Sequence, residues 1–283
     1  MSENKTQAVK IEISNLKKQF GTNQVLTGFN LSIKEGESLC LIGTSGCGKS
    51  VALKCLIGLV SADSGSIKVD GHETIGQSRA ENEALLRRFG MTFQFGALFD
   101  SLPIWENVTF RLRQKEKLSK KIAREIAGDI INQLGLAPHV LDLFPAELSG
   151  GMQKRAAIAR AIADKPEILL FDEPTSGLDP ITSGVINDLI LNSVNRLGAT
   201  TLTISHDMAS VRQIADTVAM IHQGQIIWCG PVADMHNTGI AEVDQFVNGK
   251  AYGPLTSNPP DTIILTFLKP FLSSPSLTFI TKF

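Results

Sequence analysis

Apolar and polar residues alternate along the first third of the chain with the two-residue period of β-strands. Two such runs, separated by a turn at Phe20-Gly21, place an apolar residue at every second position. Their apolar positions are Val9, Ile11, Ile13, Phe29, Leu31 and Ile33. A third run, residues 67–69, ends in the hairpin dipeptide Asp70-Gly71. The pattern therefore predicts an antiparallel sheet in this part of the chain.

From about residue 96 the apolar period changes to that of an α-helix. Ser119 has the chemistry of a helix cap, and apolar residues spaced four apart follow it on one stripe. The stripe consists of Ile122, Ile126, Ile130 and Leu134. We interpret it as core packing within a helical subdomain of about residues 96–155.

Short strand and helix patterns alternate along the rest of the chain, as they do in α/β proteins. Apolar runs predict strands at residues 38–42, 90–94, 168–172 and 200–205. Helices are predicted at residues 50–59, 81–89 and 151–164, and one begins at Asp179-Pro180. Residues 218–221 and 225–228 predict a hairpin across Gln223-Gly224.

Length and composition restrict the class of protein. The chain has 283 residues, of which 43% are hydrophobic and 19% charged, as in ordinary folded proteins. Its formal net charge of −1 gives no electrostatic reason to expect nucleic acid as a partner. The N-terminus lacks a secretory pattern, and no apolar run reaches the roughly 18 residues of a spanning helix, which favours a cytoplasmic protein. The four cysteines lack metal-ligand spacing and predict buried thiols.

The most informative chemical motif is a glycine-rich run between the strand predicted at 38–42 and the helix predicted at 50–59. Its residues are Gly43, Thr44, Ser45, Gly46, Cys47, Gly48, Lys49 and Ser50. Glycines let consecutive backbone N–H groups face a polyphosphate, and the following helix adds the positive end of its dipole. Lys49 would reach the outer phosphates and Ser50 would ligate Mg²⁺. The motif predicts nucleotide binding.

Two adjacent carboxylates end a predicted strand farther along the chain. Asp172 and Glu173 follow four apolar residues, at the edge where open α/β sheets bind their ligands. Asp172 would hold Mg²⁺, directly or through water, and Glu173 would orient or deprotonate the attacking water. Alone, such a pair is also compatible with an ordinary strand end. Downstream of a phosphate loop it indicates nucleotide hydrolysis.

Residues 148–152, Leu-Ser-Gly-Gly-Met, lie between these two motifs and resemble the signature loop of ATP-binding cassette (ABC) ATPases. Further motifs of that family occur in its order. Gln94 resembles the Q-loop glutamine, residues 176–179 resemble the D-loop, and His206 resembles the switch histidine. Phe20 occupies the place of the aromatic residue that stacks on adenine.

The resemblance covers about residues 9–249 and implies an α/β fold, a RecA-like P-loop NTPase core with an antiparallel β subdomain and a helical insert. It implies an ATPase domain at residues 1–250, a C-terminal tail at 251–283, and ATP and Mg²⁺ as cofactors. The implied catalytic residues are Glu173, His206 and Gln94, and the implied metal ligands are Ser50, Gln94 and Asp172. The implied nucleotide-binding residues are Phe20, Gly43, Thr44, Ser45, Gly46, Cys47, Gly48, Lys49, Ser50, Val51, Ser149, Gly150, Gly151 and Asp179.

Three of these residues also have ordinary interpretations. Phe20 could belong to the core, Gln94 could cap a strand, and His206 could be a surface histidine. The chain departs from the commoner family pattern at Met152, where glutamine is usual. Ser149 and Gly150 keep the hydroxyl and backbone donors that a γ-phosphate needs, so we expect activity to be retained.

In this family the signature loop completes the ATP site of a second subunit, so the resemblance implies ATP sandwiched between two copies of the chain. A transporter subunit also needs a separate integral-membrane permease, which would hold this chain at the cytoplasmic face of the inner membrane. A translation factor of the family would carry two cassettes, and a chromosome-handling relative would carry a long coiled coil. The single cassette without such a coil favours the transporter.

The segment 91–102, with its run Gly96-Ala97-Leu98-Phe99, resembles the Q-loop segment of ATPases that serve Mce and Mla phospholipid transport systems. The signature loop and residues 244–249 resemble the same group. The resemblance implies phospholipid transport, with an Mce-domain protein and a small regulatory subunit as further partners. The alternatives are import of a polar solute, extraction of lipoproteins, or a soluble ATPase outside transport.

Two apolar segments carry no catalytic motif. Residues 95–105 are apolar, and we expect Ala97, Leu98 and Phe99 to line a groove for a cytoplasmic helix of the permease. In the alternative, Leu98 is buried in the helical insert. The tail from Ala251 is apolar and broken by prolines. It is interpreted as a clasp on the partner subunit, as a contact with the membrane surface or a regulatory subunit, or as a poorly ordered end.

Overall fold

A computed structural model describes residues 7–94 and 96–256 of the chain. The chain divides into two units, Met1–Ala233 and Asp234–Phe283. All the predicted chemistry lies in the first unit, which contains two β-sheets.

The antiparallel sheet predicted for the first third of the chain is present and has four strands. They are β1 (Val9–Phe20), β2 (Asn23–Lys34), β4 (Ser64–Val69) and β5 (His72–Glu73), in the order β2-β1-β4-β5. The predicted buried face is right from Ile11 onward but wrong at Val9, which is 45% exposed. The strand register shifts between these two residues, and Lys10 is buried in place of Val9.

The second sheet carries the predicted site residues at the ends of its strands. Its strands are β3 (Ser38–Ile42), β6 (Phe89–Thr92), β7 (Ile168–Asp172), β8 (Thr200–Ile204), β9 (Thr217–His222) and β10 (Gln225–Pro231), in the order β10-β9-β3-β8-β7-β6. Its neighbouring pairs are parallel except β9 with β10. Ile204 pairs with Leu41 on one side and with Asp172 on the other, so these strands end level. The loops after β3, β7 and β8 therefore emerge at one edge.

Helices cover the strands and form the predicted insert. In the first unit they are α1 (Lys49–Leu56), α2 (Arg79–Leu86), α3 (Ile104–Glu116), α4 (Lys120–Gln133), α5 (Gly150–Ile162), α6 (Pro180–Leu197) and α7 (Met208–Ile214). The Ser119 hydroxyl caps α4, as predicted. The predicted core stripe of α4 is wrong at Ile122, which is 47% exposed. The side chains of Ala123, Ala127 and Ile131 are buried instead. Small residues let α4 approach its neighbours closely, and the buried stripe follows them.

Strand β7 positions the two carboxylates and is buried on both faces. Ile168 and Leu170 belong to a core that also contains the antiparallel sheet and α1. Leu169 and Phe171 belong to a second core, formed largely by the helical insert. Burial on both faces is typical of a strand in a parallel sheet. Asp172 is therefore held at a fixed depth between two packed cores.

Four charged side chains connect the antiparallel sheet to the start of β7. The Lys10 ammonium lies 3.1 Å from Asp70 Oδ2 and 2.6 Å from Glu167 Oε2. The Arg88 guanidinium contacts the same two carboxylates. Its hydrogen bond and that of Lys10 lower the pKa of Glu167 to about 2.

Glu167→Gln is expected to lower the free energy of unfolding at pH 7 by about 1 kcal/mol, because it removes the negative charge that pairs with Lys10. The effect is no larger because the carboxylate is half exposed and solvent screens the ion pair. The pKa of Glu167 is lower in the folded chain than in the unfolded chain. The stabilisation is therefore present above about pH 4.3 and is lost as the pH falls toward 2. Urea unfolding at pH 7 and at pH 3 tests this. An equal difference between variant and wild type at both pH values would contradict it.

The described part of the second unit contains helix α8 (Ala241–Val247) and the loop after it. The Gln245 amide holds this loop, donating to the Lys250 carbonyl at 3.2 Å and accepting from the Leu255 N–H at 2.7 Å. From position 257 onward the predicted tail lies outside the described residues. Its boundary at residue 250 stays a prediction.

Candidate functional site

The glycine-rich loop joins β3 to α1, and two of its glycines are required by its geometry. Gly43 has φ 149°, and a Cβ there would lie 2.4 Å from the Ile221 carbonyl oxygen. Gly48 is the residue before α1, with φ 111°, and it offers no side chain to cap the helix. The first N–H groups of α1 are therefore left for a ligand, and the positive helix end favours an anion.

Lys49 follows the inside of this loop. Its ammonium donates to the carbonyl oxygens of Gly43 at 2.7 Å and Thr44 at 2.9 Å, and it lies 3.9 Å from Cys47 Sγ. The side chain is 9% exposed, so a fixed positive charge is buried at the loop. Val51, the last predicted residue of this segment, packs partly buried against the first core.

Asp172 has the chemistry of a cation ligand. It is 7% exposed, and its buried Oδ1 has no hydrogen-bond partner among the described residues. Burial, and then the charge of Glu173, raise the pKa of Asp172, while Lys54, the Ser50 hydroxyl and Lys49 act in the opposite direction. Mg²⁺ is bound in such sites by one or two protein oxygens together with substrate phosphates. An unpaired buried carboxylate oxygen beside a hydroxyl fits that ion.

Glu173 and His206 form a side-chain pair across the ends of β7 and β8. Glu173 Oε2 lies 2.6 Å from His206 Nδ1, and the Glu173 N–H donates to the Ile204 carbonyl at 3.0 Å. Glu173 has φ 51°, a left-handed conformation uncommon for a residue with a side chain. The Glu173 side chain is 13% exposed and that of His206 is 64% exposed. The pair presents an oriented carboxylate that can accept a proton from water.

Gln94 lies in an exposed turn just after β6, and its carbonyl accepts a hydrogen bond from Lys154 of α5. Lys154 also donates to the Glu173 carbonyl at 3.2 Å and to Ser176 Oγ at 3.4 Å. Burial lowers the pKa of Lys154, while the charges of Glu173 and Asp172 raise it. Sequence reasoning missed Lys154. The only sequence signal for Lys154 was its position, a cation five residues beyond Ser149 on the helix that begins at the signature loop.

The signature loop lies against the start of α6. The Ser149 hydroxyl caps α5 by accepting from the Met152 N–H at 3.4 Å. A Cβ on Gly151 would lie 3.1 Å from the Thr182 side chain. Asp179 caps α6, accepting from the N–H groups of Ile181 and Thr182 at 3.0 Å each. The signature loop and the D-loop aspartate thus form a second group, distinct in its contacts from the phosphate loop.

Phe20 ends β1 and is 50% exposed, which excludes the core interpretation. The Lys18 ammonium lies 5.2 Å from its ring centroid. The ring is available for stacking, and a base on an aromatic ring contributes about 1–3 kcal/mol.

Within the part of the chain that the structure describes, no helix combines the length and apolarity needed to cross a membrane.

Comparison with known proteins identifies a family and several relatives. A family model described as ABC transporter matches residues 26–176. The probable ribonucleotide transport ATP-binding protein mkl of Mycobacterium leprae is 38% identical over 247 residues, 87% of this chain and 71% of that protein. The intermembrane phospholipid transport system ATP-binding protein MlaF of Haemophilus influenzae is 36% identical over 250 residues, 88% of this chain and 94% of that protein.

Among solved structures, the chain resembles the dimeric post-hydrolysis state of the ATP-binding cassette MJ0796 bound to ADP and Pi. The TM-score is 0.73 at 30% sequence identity, and the match covers 78% of this chain and 98% of that one. The match confirms the predicted fold, and the residues assigned above to the phosphate loop fall within the segment that the family model covers.

Proposed function

This chain belongs to the ABC transporter family, and on that premise we propose that it is the ATP-hydrolysing subunit of a transporter that moves phospholipids between membranes. ATP hydrolysis is supported mainly by the 2.6 Å contact between Glu173 and His206, at the sheet edge where the phosphate loop emerges. A carboxylate fixed at that edge is suited to activating water against a bound polyphosphate.

The chain's residues divide the work of hydrolysis among them. The N–H groups of the phosphate loop and the buried Lys49 hold the phosphates of ATP. Ser50, Gln94 and Asp172 would supply oxygen ligands for Mg²⁺, and the ion would neutralise charge on the phosphates. Glu173 orients or deprotonates the attacking water, and His206 keeps the Glu173 carboxylate in position.

The second group of site residues supports a dimer. Ser149, Gly150 and Gly151 begin α5, and backbone N–H groups at a helix start bind anions. Within the chain Gly151 lies close to Thr182 of α6. In the arrangement we propose, these N–H groups bind the phosphate of an ATP held by a second copy. The dimeric cassette MJ0796, with ADP and Pi, supports this arrangement.

Phospholipid is the substrate class we favour. MlaF, named for phospholipid transport, is matched over 94% of its length, whereas mkl, named for ribonucleotide transport, is matched over 71%. The segment 91–102 supports the same choice. The alternative, a polar solute, is supported by the slightly higher identity to mkl, 38% against 36%.

The substrate is tested with the chain bound to its permease in lipid vesicles. We expect ATP to drive transfer of a labelled phospholipid to acceptor vesicles, with no ATP-dependent uptake of a labelled ribonucleotide. Uptake of the ribonucleotide without phospholipid transfer would establish the alternative. A Lys49→Ala complex controls for transfer that does not depend on ATP.

A cavity suited to the permease opens beside β6. Its volume is about 510 Å³, and Leu59, Leu86, Met91, Phe93, Arg111 and Gln114 are among its lining residues. It differs from the groove predicted from sequence, because Ala97, Leu98 and Phe99 are not among its lining residues. Leu98 packs partly buried against the second core, whereas Ala97 and Phe99 are exposed. Leu59 is 60% exposed, so an apolar surface faces outward here.

The charges of this cavity indicate what its occupant carries. Arg111 donates to the backbone carbonyls of Leu86 and Phe89, and no carboxylate among the described residues pairs with it. Arg87 and Glu83 also line the cavity, and the Glu83 carboxylate is engaged by Arg79 at 3.1 Å. We therefore infer that the permease segment brings apolar side chains together with a carboxylate for Arg111.

Leu59→Lys is expected to weaken binding of the permease by about tenfold or more, because an ammonium would be desolvated in an apolar contact beside Arg111. ATP binding should be unchanged, since the phosphate loop is untouched. Quantitative co-purification with the permease measures the effect. Ile122→Lys is the matched control, an exposed aliphatic residue on α4 that does not line the cavity. Equal permease recovery with both variants would reject the docking site.

A further inference from the structure

Lys154 contacts three residues in two separate segments of the candidate site. Its ammonium donates to the backbone carbonyl of Gln94, to the backbone carbonyl of Glu173 at 3.2 Å, and to the hydroxyl of Ser176 at 3.4 Å. Gln94 follows β6, whereas Glu173 and Ser176 lie three residues apart in the loop between β7 and α6. One side chain thus holds together the two loops that would surround the reacting phosphate and lead to the partner copy.

The same helix also forms the signature loop. Helix α5 runs from Gly150 to Ile162, with Ser149 as its cap. Lys154 lies five residues after Ser149, about 7.5 Å along a rigid helix axis. A displacement of the helix start therefore displaces the ammonium that holds the Gln94 and Glu173 carbonyls.

Lys154 is well placed to control the conformation of Glu173. The left-handed backbone of that residue points its carbonyl to Lys154 and its carboxylate to His206. The Glu173 carbonyl has further donors, the N–H and hydroxyl of Ser176. For the Gln94 carbonyl, Lys154 is the hydrogen-bond donor found among the described residues.

We propose that Lys154 couples the two ATP sites of the dimer, transmitting the engagement of the signature loop with the partner's ATP to Gln94 and Glu173 of its own site. This rests on the proposed function, because it requires the ATP-sandwich dimer. Lys154 is a positioning residue. It acts through backbone atoms of the catalytic loops.

Two substitutions separate the hydrogen-bond donors of Lys154 from the bulk of its side chain. Replacement by methionine keeps most of the aliphatic stem and removes the donors. Replacement by arginine keeps the charge and the donors.

The test compares Lys154→Met, Lys154→Arg and wild type, each as the full chain bound to its permease. ATP hydrolysis is measured over a range of ATP concentrations, and ATP affinity is measured separately by nucleotide titration. For Lys154→Met we expect affinity within about twofold of wild type and kcat reduced by about 10- to 100-fold, with the Hill coefficient falling toward one. Lys154→Arg should restore both kcat and the Hill coefficient. Lys121→Met, an exposed lysine on α4, is the matched control and should leave them unchanged.

The outcomes separate this inference from the proposed function. A wild-type protein without ATPase activity or without an ATP-bound dimer would overturn the proposed function itself. An active wild type with a Hill coefficient of one, or a Lys154→Met variant with reduced kcat and unchanged Hill coefficient, would overturn the coupling alone. If Lys154→Met melts at a lower temperature than wild type, the Hill coefficient of Lys154→Arg decides whether the donors matter, because arginine keeps the charge and the donors. Failure of arginine to restore the Hill coefficient in a normally folded protein would also overturn it.

Discussion

Glu173→Gln is expected to slow ATP hydrolysis by about 10²- to 10⁴-fold, the usual contribution of a general base. The amide keeps the size of the side chain and leaves the backbone bonds of residue 173 intact, but it cannot take a proton from water. ATP affinity should stay within about twofold, because the phosphate loop is unaltered. Steady-state kcat and a nucleotide titration measure the two effects separately.

The same variant should accumulate as an ATP-bound dimer, since the sandwich forms but its ATP is not consumed. Sedimentation with and without ATP measures this. His206→Ala should also lower kcat while sparing ATP affinity, because the carboxylate loses the imidazole 2.6 Å away. Glu125→Gln, on the exposed face of α4, is the matched control. Hydrolysis by Glu173→Gln at the wild-type rate would place the base on another residue.

Sequence alone predicted the parts of the site whose geometry is local. Gly43 and Gly48 of the phosphate loop have φ values of 149° and 111°, which favour glycine for reasons within the strand-loop-helix unit itself. The close approach of Gly43 to the Ile221 carbonyl comes from β9, outside that unit, and the sequence did not indicate it. Asp172 and Glu173 could be placed because four apolar residues of a buried strand immediately precede them. Asp179 could be identified as a helix start because proline follows it.

What sequence could not predict depends on contacts between distant segments. Lys154 meets Gln94 and Glu173, which lie 60 and 19 residues away, and nothing in the spacing of these residues indicates the contact. The buried stripe of α4 runs through Ala123 and Ala127 because close packing selects small residues, whereas periodicity alone favoured Ile122. Both differences arise from tertiary packing, which overrides a local pattern.

Leu98 shows that tertiary packing limits predictions of function from sequence in the same way. An apolar residue after the Q-loop suits a docking groove and a core equally well, and only packing distinguishes the two. In the structure Leu98 lies partly buried against the second core. Leu98→Glu is therefore a poor probe of docking, and the exposed Leu59 is the better one.

Lys49→Ala is expected to weaken ATP binding by at least about tenfold, or about 1.4 kcal/mol, and to reduce hydrolysis to background. The variant removes the cation that we propose faces the outer phosphates, together with the hydrogen bonds of the ammonium to the Gly43 and Thr44 carbonyls. The nucleotide dissociation constant measures the first effect directly.

Ligand-induced stabilisation provides an independent measurement of the same loss. At an ATP concentration of 100 times its dissociation constant, wild type should gain about 2.7 kcal/mol of unfolding free energy. A tenfold weaker variant gains about 1.4 kcal/mol at the same concentration. Lys34→Ala, at the end of β2, is the control for removing a lysine outside the loop. Because Lys49 is buried, replacing it changes the stability of the protein without nucleotide. The stabilisation by ATP is therefore measured for each protein relative to the same protein without nucleotide. If Lys49→Ala bound ATP within about twofold of wild type and gained the full stabilisation, the phosphate loop would not be the nucleotide site.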